Sequence, residues 1–412
     1  MKDEGDGKPD TRSPLQRFRK VPKKPLSVTD LVSPAWCELQ YWYNLTRYGR
    51  VQPTPAMRQG SGVHKSLEEQ VHGKEVAVDV VTREDAFALR LWNGIQSLRT
   101  LRVTGMTREL EVWGMVEGEV VIGVIDEVCT SCPDEVAEAR MLEGREGKGD
   151  GKKGKSLGAN QTTLTNFLSH SSQNAGVLED SSAWPGCTHD KPHTFYLVDI
   201  KTRQSRSLPK EGSPSRPTHI QLMLYHRLLT SLASNTVPAS QIFDRYRLDP
   251  KANFSDTLIA QIGNLDFNFP SNASEDEGPA VLETASDAVT ELLSHNNLEA
   301  LWSLYMTDLQ KSIPNPATSI SPLLTAEFRS AAEGTLIGKR CFSFDGVGLE
   351  RYVRDEMRWW RGERPAVGVE IEDAYKCGFC KFSEGCDWRL GKMEEQSRKM
   401  RLRQEGRRRC EV

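Results

Sequence analysis

The chain has 412 residues, of which 37% are apolar, and its 54 Lys and Arg residues nearly balance its 57 Asp and Glu residues. A net charge of -3 excludes a protein that attracts nucleic acid through its total charge, so any basic binding surface must be local. No run approaches the roughly 20 apolar residues that a membrane-spanning helix needs, so we expect a protein outside the membrane.

The first 25 residues are polar, contain proline and are basic from Arg12 to Lys24. This composition predicts a disordered basic arm over residues 1–25. The extreme N-terminus is acidic, and it lacks both the apolar stretch of a secretory leader and the Arg-rich helix of a mitochondrial presequence. We therefore expect an intracellular protein, and the nucleus is slightly preferred to the mitochondrion.

Residues 60–71 predict a helix, because Val63, Leu67 and Val71 recur every four positions and form one apolar stripe. His64 and Glu68 are also four residues apart, so they share a neighbouring face. A lone histidine is more often structural. With a carboxylate one turn away, a metal ligand and its supporting partner become an equally good interpretation.

Two apolar runs predict buried strands, Val120–Ile125 and Phe195–Lys201, and the first delivers Asp126 at its C-terminal end. The two-residue period of a strand places Asp199 and Lys201 on one face of the second. Asp126 and Asp199 would suit Mg²⁺, which prefers oxygen ligands, and Lys201 would orient water or neutralise transition-state charge. A surface ion pair gives the same Asp-x-Lys pattern, so this prediction depends on the surrounding elements.

Three other segments lie outside the predicted ordered core. Residues 133–190 are rich in Gly, Lys, Ser, Asn and Glu, so we expect a disordered insertion. Residues 264–322 predict an irregular insertion containing a helix around 285–304. Residues 391–412 form a basic tail, which leaves a single domain over residues 26–390.

The sequence contains nine cysteines, an odd number that argues against a disulfide framework and for metal or cluster ligation. Cys377, Cys380 and Cys386 are close enough to share one inorganic centre, but a fourth ligand is missing locally. Zinc sites of four cysteines usually come as two Cys-x-x-Cys pairs, so the triplet slightly favours an iron-sulfur cluster and leaves both open. A separate zinc site is an alternative to free thiols for Cys129, Cys132, Cys187 and His189.

Single-stranded DNA is bound by basic grooves interleaved with aromatic rings, because each nucleotide offers a phosphate and a π face. One segment before the cysteine triplet has this composition, and its candidate DNA-binding residues are Arg358, Trp359, Trp360, Arg361 and Arg364. Core packing is an equally good interpretation for the two tryptophans. The arginines are the stronger candidates.

Four motifs follow one another along the chain: Gly60–Glu68, Gly123–Asp126, Val198–Thr202 and Gln221–Tyr225. In this order they resemble the motifs of RecB-type nuclease domains in the PD-(D/E)XK superfamily. The resemblance implies an α/β fold with a mixed central sheet flanked by helices. It also implies that His64, Asp126 and Asp199 bind metal, that Lys201 is catalytic, and that Glu68, Gln221 and Tyr225 support the site. Ile125 replaces the usual proline, and roughly 70 residues separate the two aspartates, which we attribute to the insertion.

One cysteine before these motifs and three after them are similar to the arrangement in iron-sulfur nucleases related to the AddB subunit, and more narrowly to the exonuclease V family. The segments Leu26–Cys37 and Arg358–Arg364 strengthen this resemblance. It implies a 4Fe-4S cluster on Cys37, Cys377, Cys380 and Cys386 that joins the N- and C-terminal segments of the domain.

The resemblance further implies Mg²⁺-dependent hydrolysis of single-stranded DNA from a free end, in nuclear or mitochondrial DNA maintenance. We expect a monomer whose partner is single-stranded DNA, with a single-strand-binding protein as a further candidate. Two alternatives remain. One is a non-catalytic DNA-binding subunit that retains the fold, and the other is a structural protein stapled by zinc.

Overall fold

The computed structural model describes residues 10–72, 78–146, 194–210, 212–263 and 285–410. The chain divides into two units, residues 1–134 with 194–412, and residues 135–193. The first unit holds the sheet and the candidate site. In the second unit, the structure describes only the helix Glu135–Glu146. The predicted insertions fall outside the described residues over 147–190 and 264–284, as do Cys187 and His189.

The first unit is built from one mixed sheet flanked by helices. The strands are β1 (Leu26–Ser27), β2 (Met106–Val116), β3 (Glu119–Cys129), β4 (Phe195–Arg203), β5 (Ile320–Ser330) and β6 (Leu336–Ser343). The α-helices of the whole described chain are α1 (Pro14–Phe18), α2 (Val28–Val32), α3 (Glu38–Tyr48), α4 (Pro55–His72), α5 (Arg83–Thr104), α6 (Glu135–Glu146), α7 (Arg216–Ala233), α8 (Ala239–Tyr246), α9 (Asp256–Gly263), α10 (Ala285–Ser294), α11 (Leu298–Ser312), α12 (Pro316–Ser319), α13 (Gly346–Trp360) and α14 (Asp387–Cys410). None of these helices has the length and apolar character needed to cross a membrane.

The sheet is mixed, and its strand order brings the two predicted aspartate strands side by side. Strands β2 and β3 form a long antiparallel hairpin, and β3 also pairs with β1 in parallel and with β4 in antiparallel. Strand β4 pairs in parallel with β5, which pairs in antiparallel with β6. The predicted α/β class with a mixed central sheet flanked by helices is confirmed.

The predicted N-terminal arm is partly ordered, which corrects the expectation of disorder. Helix α1 begins with a capping box between Ser13 and Gln16, which satisfies exposed backbone groups at its start. Arg19 then binds the carboxylate of Asp30, and Tyr41 donates to the same carboxylate over 2.8 Å. The composition of the arm could not reveal this order, because the order depends on the buried ion pair between Arg19 and Asp30, which lies outside the arm.

The insertions are also more ordered than their composition predicts. Helix α6 occupies residues that we expected to be disordered. Helices α10 and α11 occupy most of the described part of the segment expected to be irregular, and Leu301 and Tyr305 of α11 are fully buried. Arg99 of α5 anchors α11 through Asp308, at 3.2 Å. The helix expected around residues 285–304 is present as two helices, and the second continues to Ser312.

The N- and C-terminal segments of the domain meet directly. Arg364 holds both carboxylate oxygens of Glu38, at 2.8 and 2.9 Å. The backbone N–H of Val367 donates to the same carboxylate over 2.6 Å, and Leu39 donates to the carbonyl of Val367 over 3.1 Å. These bonds join the start of α3 to the chain after α13, beside the cysteines of both segments.

Glu356 of α13 predicts a pH dependence of stability. It is 6% exposed, and its Oε2 has no hydrogen-bond partner among the described residues. Burial, followed by the nearby carboxylate of Glu38, raises its pKa to about 8. The folded state therefore keeps a proton that the unfolded chain loses near pH 4.5, so stability falls as the pH rises towards 8.

We expect Glu356→Gln to raise the free energy of unfolding by roughly 3 kcal/mol at pH 9 and to change it little at pH 5. Urea unfolding at the two pH values measures this difference. Glu350→Gln on the same helix is the control, because the Glu350 side chain is 48% exposed. A gain that is the same at both pH values would contradict the assignment.

Candidate active site

Strand β4 and helix α7 present a chain of hydrogen bonds that ends on a buried carboxylate. The Nζ of Lys201 donates to Asp199 Oδ1 and to Gln221 Oε1, both over 2.9 Å. Gln221 Nε2 donates to the hydroxyl of Tyr225 over 2.9 Å. The predicted placement of Asp199 and Lys201 on one face is confirmed.

A side chain at Gly123 would lie 3.0 Å from the Tyr225 ring, so glycine makes room for this ring against the sheet.

Asp126 reaches the same place from the neighbouring strand. It lies inside β3, which continues to Cys129, rather than at the end of a strand as we expected. The backbone N–H of Ile200 donates to Asp126 Oδ2 over 2.6 Å, so the carboxylate is held against β4. Burial, with the charge of Asp199 next, raises the pKa of Asp126 to about 7. Two carboxylates thus share a site that disfavours two negative charges.

The burial of this site has one consequence for the pKa of Lys201 and another for the hydrogen bonding of Asp199. Burial opposes the charged form of Lys201, but the carboxylates of Asp199 and Asp126 outweigh it and raise the lysine pKa. Asp199 is fully buried, and its Oδ2 has no hydrogen-bond partner among the described residues. A buried acceptor without a donor is costly, and a cation is a group that would compensate it.

His64 faces the two strands from α4. Its Nε2 lies 3.1 Å from the carbonyl oxygen of Ile200, and its Nδ1 lies 3.9 Å from Asp126 Oδ2. Helix α4 approaches β4 closely at Gly60, where a Cβ atom would lie 2.5 Å from Thr202 Oγ1. The lack of a side chain at Gly60 therefore permits this approach. Glu68, one turn after His64, is half-buried. The structure therefore brings His64 to Asp126, one of the two predicted aspartates.

Glu109 is a site residue that the sequence analysis missed. It lies 3.3 Å from His64 Nδ1, and this contact is the main cause of a raised His64 pKa. One ligand atom each from His64, Glu109 and Asp126 lie within 4.8 Å of one another. The backbone of Glu109 has φ +50°, an uncommon left-handed conformation in the middle of β2. The strand is thus distorted where its carboxylate joins the site.

A carboxylate at Glu109 would help His64 and Asp126 to hold a divalent cation, so Glu109→Gln should weaken the affinity of the protein for Mg²⁺ about tenfold. Isothermal titration calorimetry measures this shift. Glu117→Gln is the matched control, since Glu117 has φ +49° in the turn between β2 and β3. Equal titration curves for Glu109→Gln and the control would remove Glu109 from the metal site.

The structure gathers the four predicted cysteine ligands around one pocket. Cys37 directly precedes α3, and the other three follow α13; all line this pocket with Trp36 and Tyr43. Burial, together with the charges of the other three thiols, raises the pKa of Cys37 to about 11. The four thiols are the residues Cys37, Cys377, Cys380 and Cys386.

Four thiols around one pocket are a donor set that suits a thiolate-bound inorganic centre, either a zinc ion or an iron-sulfur cluster.

The alternative zinc site is only partly visible. Cys132 packs against a small cluster of buried residues that contains Cys129, Tyr196 and Val198. Cys341 of β6 lies near them, and its Sγ is 3.6 Å from Asp134 Oδ2. Because Cys187 and His189 lie outside the described residues, that zinc site stays a prediction.

The predicted base-stacking role of Trp359 and Trp360 is wrong in this structure. Their exposures are 2% and 0%, and their ring centroids lie 5.9 and 6.1 Å from that of Tyr41. Both rings belong to the core because α13 is amphipathic and turns this face inward. Arg364 is occupied by Glu38, whereas the Arg358 side chain is 52% exposed. Arg361 binds the backbone carbonyl of Glu117.

The fold and these side chains define a class of protein: an α/β protein with two buried carboxylates beside a charged lysine, an arrangement typical of enzymes that hydrolyse phosphodiesters. A family model described as exonuclease V, a 5' deoxyribonuclease, matches residues 13–389. The chain belongs to the exonuclease V family, and it is a DNA exonuclease.

Individual relatives agree with the family match at modest identity. Exonuclease V of Danio rerio is 25% identical over 380 residues, which cover 92% of this chain and 73% of the relative. The mitochondrial exonuclease V of Eremothecium gossypii is 24% identical, covering 88% and 76%. That of Candida albicans is 20% identical, covering 90% and 72%. The similarity therefore extends along most of both chains.

Proposed function

We propose that this exonuclease is a Mg²⁺-dependent enzyme with a PD-(D/E)XK site that hydrolyses single-stranded DNA from a free end. The observation that carries the proposal is the meeting of Asp126, Asp199 and Lys201 on neighbouring strands, with one buried oxygen of Asp199 left without a donor among the described residues. A protein without catalytic use for these groups would have little reason to bury two carboxylates together.

The donor set supports a hard divalent cation. Asp126 and Glu109 offer carboxylate oxygens and His64 a ring nitrogen within 4.8 Å of one another. Asp199 is not one of these three, and it would add the buried Oδ2 that has no donor among the described residues. The mutual repulsion that raises the pKa of Asp126 is the kind that a bound cation relieves. When bound, Mg²⁺ would polarise the scissile phosphate and compensate its developing charge.

The chain's own residues supply the rest of the proposed chemistry. The Lys201 ammonium lies beside the carboxylates, where it would orient the attacking water and neutralise charge on the transition state. Gln221 fixes the Lys201 Nζ, and Tyr225 fixes Gln221 in turn, so these two residues position the lysine. Glu68 is proposed to support His64 from the next turn of α4.

We also propose that Cys37, Cys377, Cys380 and Cys386 hold a 4Fe-4S cluster. Support comes from their common pocket and from the one-plus-three cysteine arrangement that resembles iron-sulfur nucleases. The cluster would add a covalent link to the contacts between Glu38 and Arg364. Its contribution is structural: it would tie the two ends of the nuclease domain together.

The compartment, the oligomeric state and the partner are further parts of the proposal. Several fungal relatives carry the name "mitochondrial", and for this chain we propose DNA maintenance in the mitochondrion or the nucleus. We propose a monomer, with a single-strand-binding protein as a candidate partner. The non-catalytic subunit is disfavoured because the carboxylates and the lysine are all in place.

The experiment incubates the purified protein and Mg²⁺ with three DNA substrates: linear single strands, closed single-stranded circles and blunt duplexes. Linear single-stranded DNA should be degraded, while closed single-stranded circles and blunt duplexes should resist. Equal cutting of circles would contradict attack from a free end, and faster degradation of duplexes would contradict single-strand preference.

A further inference from the structure

The segment between α13 and α14 exposes three large apolar side chains. Phe379 is 82% exposed, which is the largest value for any large apolar side chain in the described residues. Ile371 and Tyr375, at four-residue intervals before it, are 58% and 46% exposed. Phe379 lies at the tip of a tight turn, closed by a hydrogen bond of 3.2 Å from Cys380 N–H to the Cys377 carbonyl. The turn holds the ring out in water, where a phenyl group gains nothing from burial.

Cations interleave with aromatic rings next to this turn. The Nζ of Lys381 lies 4.6 Å from the ring centroid of Tyr48 and 5.1 Å from that of Phe382. The guanidinium of Arg47 lies 5.4 Å from the Tyr48 ring, which is itself 38% exposed. Both cations are at the surface, so they remain accessible to phosphates.

We propose that Phe379 stacks on a base of a single DNA strand, with Lys381 and Arg47 holding its phosphates. The inference rests on the proposed action on single-stranded DNA and identifies a contact surface for that substrate. Exposed rings beside cations suit unpaired nucleotides, because each nucleotide offers a π face and a negative charge at once. This surface takes the role that we first assigned to Trp359 and Trp360, which are buried.

Fluorescence anisotropy in EDTA measures binding without cleavage, using oligo-dT and an abasic oligonucleotide of equal length as probes. Phe379→Ala should weaken binding of oligo-dT about tenfold and leave binding of the abasic strand unchanged, because only the bases stack. Phe379→Tyr should bind like wild type, whereas Phe379→Leu should bind like the alanine variant, since leucine keeps the apolar surface without a π face. Val347→Ala is the control, because Val347 is 72% exposed on α13.

Unchanged binding of oligo-dT by Phe379→Ala would overturn the inference and leave the surface to a protein partner. An equal loss on the abasic strand would overturn it as well, because the effect would then not involve bases. Wild-type affinity for oligo-dT in Phe379→Leu would also overturn the inference, because leucine offers no π face for stacking. Failure of the proposed function would instead appear in wild-type cleavage of single-stranded DNA, which is measured separately, so the two failures are distinguishable.

Discussion

Replacing Asp199 by asparagine should reduce cleavage of single-stranded DNA at least about a thousandfold, which corresponds to about 4 kcal/mol of barrier. The amide removes the negative charge that the proposed metal site and Lys201 both use, and it keeps the size of the side chain. Lys201 Nζ donates to Asp199 Oδ1 over 2.9 Å, so its position also depends on this carboxylate. Single-turnover cleavage of a linear oligonucleotide measures the loss.

The fold should survive this substitution. Asp199 is buried beside Asp126, and the charge of each disfavours the charge of the other, so a neutral amide at this position relieves a repulsion in the metal-free protein. The melting temperature in EDTA should therefore not fall. Asp244→Asn, at an exposed position on α8, is the matched control and should keep wild-type activity. Wild-type cleavage by Asp199→Asn would remove the carboxylate from the chemical step.

Replacing Cys37 by serine should remove the proposed iron-sulfur cluster and destabilise the whole domain. Four ligands hold such a cluster, and Cys37 is the one contributed by the N-terminal segment. The proposed cluster would close a loop of roughly 340 residues, so its loss should cost roughly 6 kcal/mol, or about 7 °C in melting temperature. Iron and sulfide analysis, absorbance near 400 nm and thermal unfolding measure the three consequences after anaerobic purification.

Cys377→Ser should reproduce these losses, because it removes another ligand of the same centre. Cys341→Ser is the matched control, since Cys341 lies on β6 outside the pocket and should leave the iron content unchanged. Zinc without absorbance near 400 nm in the wild-type protein would contradict the cluster. Full iron content in Cys37→Ser would contradict this particular ligand.

The two variants separate the two halves of the proposal. Asp199→Asn should lose cleavage and keep the iron, because Asp199 lies on β4 and the cysteine pocket lies between α3 and the chain after α13. Cys37→Ser should lose iron and stability first, and any loss of cleavage should follow the loss of fold. Activity and iron content that always fell together would contradict this separation.

The central site was predictable from local sequence because strand geometry is local. The two-residue period fixed Asp199 and Lys201 on one face, and the helical period placed His64 and Glu68 together. Glu109 was not predictable in this way. Its place depends on the hairpin register, with Arg108 opposite Glu127, and on an unusual backbone conformation at Glu109 itself.

Other misses have a common cause, which is tertiary packing. Trp359 and Trp360 have the composition of a DNA-binding segment, but their burial depends on α3 packing against α13. The order of residues after Asp10 depends on the ion pair between Arg19 and Asp30. Composition describes a segment by itself, and it cannot report the partners that the fold brings to it.

The Mg²⁺ dependence of cleavage tests the central claim most directly. Wild-type protein treated with EDTA should be inactive on linear single-stranded DNA, and added Mg²⁺ should restore cleavage in a saturable way. No concentration of Mg²⁺ should restore it in Asp199→Asn. Cleavage that persists in EDTA, or full rescue of the variant by Mg²⁺, would contradict a metal site built on Asp126 and Asp199.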